Sequence, residues 1–264
     1  MDYREYAARF AAHAAVAEVR PLATVIEGGV AHELLTASTP GPRTLLITAG
    51  FHGDEVAGPL TLLEHLPEIV AHARRRDVGL RIYPCLNPSG FTDRTRYNRS
   101  GEAPNNDFLR YEVEPGRWLD ILPPGASFSR WELNRGGPKE TRALLAALEA
   151  APPPDAALDI HQDPWLDGAC AYAYTFGPRT AYLPLVRATE ARLPVARGRQ
   201  VDEDVRTDGD GLIELHDGSV TDYLFRRGVP WTAALETTTS TPLALSHEVN
   251  LTWIRGFIDL VAGR

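Results

Sequence analysis

The sequence predicts an α/β fold in which helices cover both faces of a largely parallel or mixed sheet. Short apolar segments typical of buried strands alternate along the chain with segments whose apolar residues recur at a helical period. The chain has 264 residues, of which 44% are hydrophobic, and this is enough for a sizeable core. No internal repeat or break in composition divides it, so we expect one domain over residues 1–264.

The first predicted elements are a helix and a hairpin. In the opening segment Tyr6, Phe10 and Ala14 lie on one helical stripe, which predicts an amphipathic helix. The segments RPLATVIE and AHELLTAS follow, and Gly28 and Gly29 between them fit a two-residue hairpin turn. The hairpin is expected to precede the buried strands.

The next segments predict the centre of the sheet. The continuous apolar run TLLITAG at residues 44–50 is typical of a strand covered on both faces. A helical period of leucines predicts a helix over residues 55–75, and LRIYPCL predicts the strand after it. Residues 88–137 are rich in Pro, Gly, Asn, Arg and Trp and show little periodicity, which predicts a long loop that is either functional or disordered.

The C-terminal half returns to regular elements. Pro138 suits the first turn of a helix. We then expect strands at ALDIH and ACAYAYTFG, a helix around residues 180–193, a polar stretch over residues 202–217, a helix at SVTDYLFRRG, a strand at VPWTAALE and a final helix.

Charge and composition exclude several kinds of partner. With 27 basic and 35 acidic residues the formal charge is −8, and the chain has no long tract of Lys and Arg, which argues against nucleic acid or an anionic membrane as the main partner. No apolar run approaches the roughly 20 residues of a membrane-spanning helix, and the N-terminus is too polar for a signal peptide. We therefore expect a cytoplasmic protein. Cys85 and Cys170 lie in no CxxC motif and are expected to be buried strand residues.

Candidate metal ligands follow two of the predicted core strands. His52 and Glu55 are three residues apart in GFHGDE, so a turn leading into a helix can direct both at one ion. His161 ends the apolar strand ALDIH, and two His with one Glu form the ligand set of a catalytic zinc site. Asp159 lies on the same strand face as His161 and either orients its imidazole or is an ordinary capping or ion-paired residue.

Other charged residues are candidates for proton transfer and substrate binding. Glu236 ends the strand VPWTAALE and is either a general base or a structural carboxylate. Arg96 in NPSGFTDRTRY and the pair Asn134 and Arg135 in ELNR lie in the irregular segment, where arginine is a natural partner for a carboxylate. Asp163 either attracts a basic substrate or caps a turn.

Together these motifs resemble the zinc carboxypeptidase superfamily, including its aspartoacylase and succinylglutamate desuccinylase branch. The matches come in the family's order as GFHGDE, NPSG followed by TRY, ELNR, DIH and a late Glu after a strand, and they span residues 49–236. The resemblance implies a mixed, mostly parallel twisted sheet of about eight strands with helices on both faces. It also implies a zinc-dependent hydrolase with one Zn²⁺ per chain.

The resemblance assigns a role to each matching residue. His52, Glu55 and His161 would bind Zn²⁺, and Arg96 would stabilise the oxyanion of the tetrahedral intermediate. Asn134 and Arg135 would bind the free α-carboxylate of the substrate, and Glu236 would pass a proton from the attacking water to the leaving amine. The implied enzyme is a metallocarboxypeptidase acting on small peptides. The alternatives are an N-acyl-amino-acid deacylase and a non-catalytic domain that binds carboxylate-bearing ligands.

Four features depart from the family pattern. Glu132 replaces the Asp of the family's DLNR motif, and Asp93 stands where many members have Arg, so Arg94 is an alternative to Arg96. Residues 97–131 are an insertion that is expected to form part of the cleft rim. The segment GLIELH lacks the family's substrate-capping Tyr, and Tyr223 is expected to be a packing residue instead.

Overall fold

The computed structural model describes residues 1–123 and 125–263, and its elements follow the predicted alternation of strands and helices. The helices are α1 (Tyr3–Ala11), α2 (Ala57–Arg75), α3 (Pro88–Asp93), α4 (Lys139–Glu149), α5 (Leu183–Glu190), α6 (Val220–Arg226) and α7 (Leu243–Ala262), with short 3-10 helices at Ala12–Ala15 and Arg179–Ala181. The strands are β1 (Glu18–Glu27), β2 (Val30–Thr39), β3 (Arg43–Ala49), β4 (Val78–Tyr83), β5 (Leu109–Glu114), β6 (Arg117–Leu119), β7 (Arg130–Leu133), β8 (Ala156–Asp163), β9 (Ala171–Phe176), β10 (Gln200–Asp202), β11 (Val205–Arg206), β12 (Leu212–Ile213) and β13 (Thr232–Thr238).

Eight of these strands form one mixed sheet in the order β1-β2-β4-β3-β8-β13-β9-β12. The pairs β4–β3, β3–β8, β8–β13 and β9–β12 are parallel, and the other three pairs are antiparallel. The predicted mixed, mostly parallel sheet is thereby confirmed. After β3 the chain forms β4 on one side and later β8 on the other, and such a reversal opens a crevice at the carboxyl ends of the strands.

Helices cover both faces of this sheet, and the alternation of side chains along each strand separates two apolar cores. On β8, Leu158 and Ile160 belong to the core that includes side chains of α1, α2 and α7. Ala157 belongs to the second core, which α4 and α6 cover. Tyr223 of α6 is 1% exposed within this second core, so its predicted packing role is confirmed. Both cysteines are free and buried, as expected.

The predicted hairpin is present and its turn explains the glycine pair. β1 pairs with β2 in antiparallel orientation, and Glu27 and Val30 form the pair next to the turn. Gly28 and Gly29 have φ angles of 57° and 79°, and a two-residue type I′ turn needs positive φ at both positions. Glycine adopts this conformation without steric cost.

The expected loop over residues 88–137 is partly regular, which corrects the sequence prediction. It contains α3 and a separate three-stranded sheet in the order β6-β5-β7. Leu109 and Tyr111 of β5 are buried while Arg110 between them is exposed, so an alternating pattern is present. It escapes a search for periodicity because its partners β6 and β7 have only three and four residues. None of the helices in the described residues is long and apolar enough to cross a membrane.

Candidate active site

The ends of three neighbouring strands bring the predicted metal ligands and Glu236 together. His161 near the end of β8 pairs in register with Glu236 of β13, so the two side chains lie on one face of the sheet. His52 and Glu55 lie in the turn between β3 and α2. This turn packs tightly against the following segment, because a Cβ atom on Gly53 would lie only 1.9 Å from the carbonyl carbon of Gly90. A glycine is therefore required where the two backbones meet.

Glu55 contacts both histidines through its two carboxylate oxygens. His52 Nδ1 lies 2.6 Å from Glu55 Oε1, and His161 Nδ1 lies 2.7 Å from Glu55 Oε2. One ligand atom from each of the three residues lies within 4.8 Å of the others, and all three side chains are buried. Two imidazoles and one carboxylate are the donors that a divalent metal ion such as Zn²⁺ prefers, so this set fits the metal that the sequence predicts.

The charges around this cluster favour an ionised carboxylate between the imidazoles. Burial alone would raise the pKa of Glu55, but His52 and His161 outweigh it and hold that pKa well below its usual range. Burial likewise opposes ionisation of His161, yet Asp159 and Glu55 raise its pKa well above the usual value.

Residues on β8 and its continuation hold the ligands in place. Asp159 Oδ2 lies 2.7 Å from His161 Nε2 and so fixes the imidazole with Nδ1 directed at Glu55. This is the orienting role proposed for Asp159, whose other oxygen accepts a hydrogen bond from Thr48. The backbone N–H of Gln162 donates to Glu55. The side-chain oxygen of Gln162 accepts a hydrogen bond from the N–H of Ala57 at the start of α2.

Glu236 is poised next to the ligands without a partner of its own. Its Oε2 atom is buried and has no hydrogen-bond partner among the described residues. Burial raises the pKa of Glu236 well above its usual range, and the nearby Glu55 and Asp163 add to this while His161 opposes it. The free Oε2 atom beside the metal ligands is the acceptor that a general base needs.

Arg96 lies at the same site. Its Nη1 atom donates to Glu55 Oε1 over 3.0 Å, and its guanidinium lies 4.6 Å from the ring centroid of Trp165. Arg94 is directed elsewhere, because it donates to the carbonyl oxygens of Phe91 and Met1. The geometry therefore favours Arg96 over Arg94 as the arginine of the site.

The structure does not bring Asn134 and Arg135 to the cavity at these ligands. The Oδ1 atom of Asn134 accepts a hydrogen bond from the N–H of Gly136 and closes a local turn. Arg135 is 68% exposed and pairs with Glu149 of α4 over 3.1 Å. Both residues follow β7, whose pairing with β5 carries them away from the strand ends and into a separate surface depression. A role for this pair in binding the substrate carboxylate is therefore not supported.

A different asparagine pair, Asn105 and Asn106, lines the cavity instead. The Nδ2 atom of Asn105 lies 3.3 Å from His161 Nε2, and its backbone has a φ of 132°, which is rare for a residue with a side chain. Asn106 donates to Asp217 Oδ2 over 3.0 Å. Both asparagines belong to the insertion of residues 97–131, and so does Ile121, which also lines the cavity.

Two tyrosines of β9 complete the cavity, and sequence reasoning missed them. Tyr172 and Tyr174 alternate on the strand and so point to the same face, next to Glu236 and Ala234 of β13. This alternation was a usable signal in the segment ACAYAYTF. Tyr172 donates to Asp163 over 2.9 Å. Asp163 also accepts from the backbone N–H groups of two following residues, so its turn-capping role is supported.

The whole cavity has a volume of about 460 Å³, which suits a small molecule or the end of a peptide. A family model of the succinylglutamate desuccinylase/aspartoacylase catalytic domain matches residues 41–197, more than half of the chain. The chain belongs to this family. It is therefore a hydrolase of the zinc carboxypeptidase superfamily, as the ordered motifs predicted.

Solved structures agree with this family fold over the full chain. A protein from Shewanella amazonensis, provisionally named a metallopeptidase, is 25% identical with a TM-score of 0.76, and the match covers 100% of this chain and 94% of the other. A similarly named protein from Shewanella baltica is 26% identical with a TM-score of 0.74, covering 98% and 91%. A metallo-carboxypeptidase from Burkholderia cenocepacia shares the fold at 16% identity and a TM-score of 0.68, covering 100% and 71%. No curated protein matches the sequence.

Proposed function

We propose that this hydrolase is a cytoplasmic, zinc-dependent metallocarboxypeptidase that cleaves the amide bond next to the free carboxylate of a small peptide. The observation that carries the proposal is the convergence of His52, Glu55 and His161 beside the unpartnered carboxylate of Glu236. Three buried donors and an adjacent base, open to a cavity, are the parts that metal-assisted hydrolysis requires.

The ligands and the base have distinct tasks in this proposal. Zn²⁺ held by His52, Glu55 and His161 would supply Lewis-acid chemistry to the scissile carbonyl and the attacking water. Glu236 takes a proton from that water at its free Oε2 atom and delivers it to the nitrogen of the leaving amine. Asp159 keeps His161 in the tautomer whose Nδ1 atom faces the metal position.

Arg96 supplies positive charge beside the reacting carbonyl. It already donates to Glu55, so its guanidinium lies next to the metal ligands. From there it can donate to the oxyanion as charge develops during attack. Trp165 limits the movement of the guanidinium by lying against its face.

A second candidate, an N-acyl-amino-acid deacylase, is favoured by one observation. The matching family model is that of succinylglutamate desuccinylase and aspartoacylase catalytic domains. Both candidates cleave an amide with the same ligand set.

A substrate panel separates the two candidates. Purified enzyme is assayed with N-acylated dipeptides and, in parallel, with N-acetyl- and N-succinyl-amino acids. The proposal predicts release of the C-terminal amino acid from the dipeptides and loss of this activity in the Glu236→Gln variant. Turnover of the acyl amino acids alone would contradict the carboxypeptidase proposal and support the deacylase.

A further inference from the structure

The charged groups that line the cavity are strongly unbalanced. Within residues 1–123 and 125–263, Arg96 is the only Arg or Lys of the lining. The carboxylates of the lining are Glu55, Asp163, Asp202, Asp217 and Glu236. Even with a divalent metal ion added to Arg96, the negative charges outnumber the positive ones. A purely anionic substrate would therefore be repelled from most of the cavity.

Arg96 also lies at a different end of the cavity from Asp217. Arg96 contacts Glu55, which follows β3, whereas Tyr174 lies on β9. β9 is the third strand from β3 across β8 and β13, a distance of about 14 Å at the usual strand spacing. Asp217 follows β12, which pairs with β9 on the far side. The acidic end is therefore separate from the arginine.

Two carboxylates at this end are available to a ligand. Asp217 accepts one hydrogen bond at each oxygen, from the side chain of Asn106 and the backbone N–H of Ser219, which fixes the group and leaves a lone pair on each oxygen. Asp202 is exposed, and one oxygen accepts from the N–H of Glu203. Asp163 is already engaged by three donors and is not counted.

Tyr174 lines the same cavity as these carboxylates. Burial raises the pKa of Tyr174, and the charges of Glu236, Asp217 and Asp202 raise it further, in that order. Its hydroxyl therefore stays protonated among several acceptors. Glu236 Oε2, buried without a partner, adds another acceptor to the same lining. A ligand rich in N–H donors is the chemical complement of this surface.

We infer that the substrate carries a cationic group, an ammonium or guanidinium, which binds to Asp217 and Asp202 beside Tyr174 while the scissile amide lies at the metal ligands. This inference deepens the proposed function and rests on it for the position of the amide. For a carboxypeptidase it means a basic residue such as lysine or arginine next to the cleaved bond. For a deacylase it means an acylated diamine or basic amino acid.

The test compares substrates that differ only in this charge. The kcat/KM for an N-acyl dipeptide ending in lysine is compared with that for its norleucine counterpart, and the same pair is assayed as N-acetyl-amino acids. We expect at least a tenfold preference for lysine, and we expect Asp217→Asn to reduce that preference several-fold. Asp167→Asn is the matched control, because Asp167 is an exposed residue outside the cavity lining, and it should keep the preference.

Each outcome tests either the cationic group of the substrate or the proposed hydrolase function. Equal rates for lysine and norleucine would overturn the cationic group, and a lysine preference that survives Asp217→Asn would overturn the assignment of that group to Asp217. Both outcomes leave the hydrolase proposal intact. If neither substrate pair is turned over, the proposed function fails, and calorimetric binding of L-lysine against L-norleucine then decides the cationic site alone. Binding of lysine that Asp217→Asn weakens supports it, and equal binding refutes it.

A second set of metal-ligating side chains, independent of this cavity, lies between α2 and α7. One ligand atom from each of Glu64, His65 and His247 lies within 4.8 Å of the others. His247 is 7% exposed. Its Nδ1 atom lies 3.6 Å from Glu64 Oε2, too far for a hydrogen bond but close to the separation of about 3.3 Å between two ligands of one tetrahedral zinc ion.

The second imidazole of this set is already oriented. His65 Nδ1 lies 2.9 Å from Glu68 Oε1 of the same helix, which leaves Nε2 free to bind a metal ion. We propose that Glu64, His65 and His247 bind a second divalent cation of the zinc class and thereby join α2 to α7.

Metal content measures this site directly. Wild-type protein equilibrated with micromolar Zn²⁺ should retain one more equivalent than either His65→Ala or His247→Ala. The control is His72→Ala, a change on the same helix at a histidine that contacts Asp259 and lies outside the cluster, and it should match the wild type. Equal zinc content in wild type and in folded samples of both cluster variants, checked by circular dichroism, would overturn the proposal.

Discussion

The strand ends and the segment between α3 and α4 hold their parts of the site in different ways. His161 and Glu236 are positioned by backbone pairing within the central sheet. Arg96 and Asn106 lie outside that sheet and are positioned by a few polar contacts, which include the hydrogen bonds to Glu55 and Asp217. The side chains on the sheet are therefore held rigidly, whereas those in the segment between α3 and α4 are held in place by a few hydrogen bonds. Substitutions in the two regions should consequently have effects of different size and kind.

The largest effect is expected for the base on β13. Glu236→Gln removes the group that accepts the proton, so kcat should fall by about 10³ while metal content stays unchanged. The rate is measured with the best substrate of the panel. Glu132→Gln, at an exposed residue paired with Arg110, is the control and should retain full activity. A Glu236→Gln enzyme with more than a tenth of the wild-type rate would mean that another group is the base.

Two arginines between α3 and α4 should differ in their effect on activity, because only Arg96 lies at the metal ligands. Arg96→Ala removes positive charge next to the metal ligands and should lower kcat/KM by about 10². Arg135→Ala alters an exposed pair with Glu149 and should change kcat/KM by less than twofold. Steady-state kinetics on both variants provide the check. A large loss with Arg135→Ala would restore the substrate-binding role that its motif suggested.

The orienting carboxylate of β8 should have a smaller effect, on metal affinity. Asp159→Asn weakens the contact that fixes the His161 ring, so the affinity for Zn²⁺ should fall by about 10- to 100-fold. Competition with a chelator of known affinity measures the change. Asp93→Asn, an exposed residue paired with Arg99, is the control. Unchanged affinity in Asp159→Asn would mean that the sheet alone orients the imidazole.

The smallest effect concerns how the irregular segment is anchored. Burial raises the pKa of Glu140, at the start of α4, to about 7, although Asn98 donates to its carboxylate. Between pH 4.5 and 7 the folded protein then holds a proton that the unfolded chain has released, so the free energy of unfolding falls as the pH rises through this window.

Replacing Glu140 by Gln removes this proton linkage. The melting temperature of Glu140→Gln should therefore fall less than that of the wild type between pH 5 and 8, by a margin of about 5 °C. Thermal unfolding across this pH range is the measurement. Glu149→Gln, at the exposed end of the same helix, should follow the wild-type slope. Parallel curves for Glu140→Gln and wild type would show that the buried carboxyl is ionised throughout.

The contrast between the two regions also explains which parts of the site the sequence could predict. A ligand at the end of an apolar strand, such as His161, is located by the strand itself, because parallel strands end at one edge of the sheet. The same reasoning located His52, Glu55 and Glu236. Asn134 and Arg135 matched the sequence of a family motif. Their position in the structure, however, depends on the pairing of the short strand β7 with β5, which no periodicity in the sequence reveals.

Asn105 is a residue of the cavity that the sequence could not predict. It lies in the segment APNND, and its place in the cavity depends on a positive φ and on contacts with His161 across more than fifty residues of sequence. Neither feature leaves a local pattern. Tyr174, by contrast, was within reach, because alternation along β9 places it beside Glu236.

Metal content together with hydrolysis is the most direct test of the catalytic centre. Wild-type enzyme and the variants His161→Ala and Arg135→Ala are purified, their zinc is quantified by mass spectrometry, and each is assayed with N-acylated dipeptides. The account predicts that wild type and Arg135→Ala share the same zinc content and activity, whereas His161→Ala loses about one equivalent of zinc and all measurable hydrolysis. Full zinc content or undiminished hydrolysis in folded His161→Ala would contradict it.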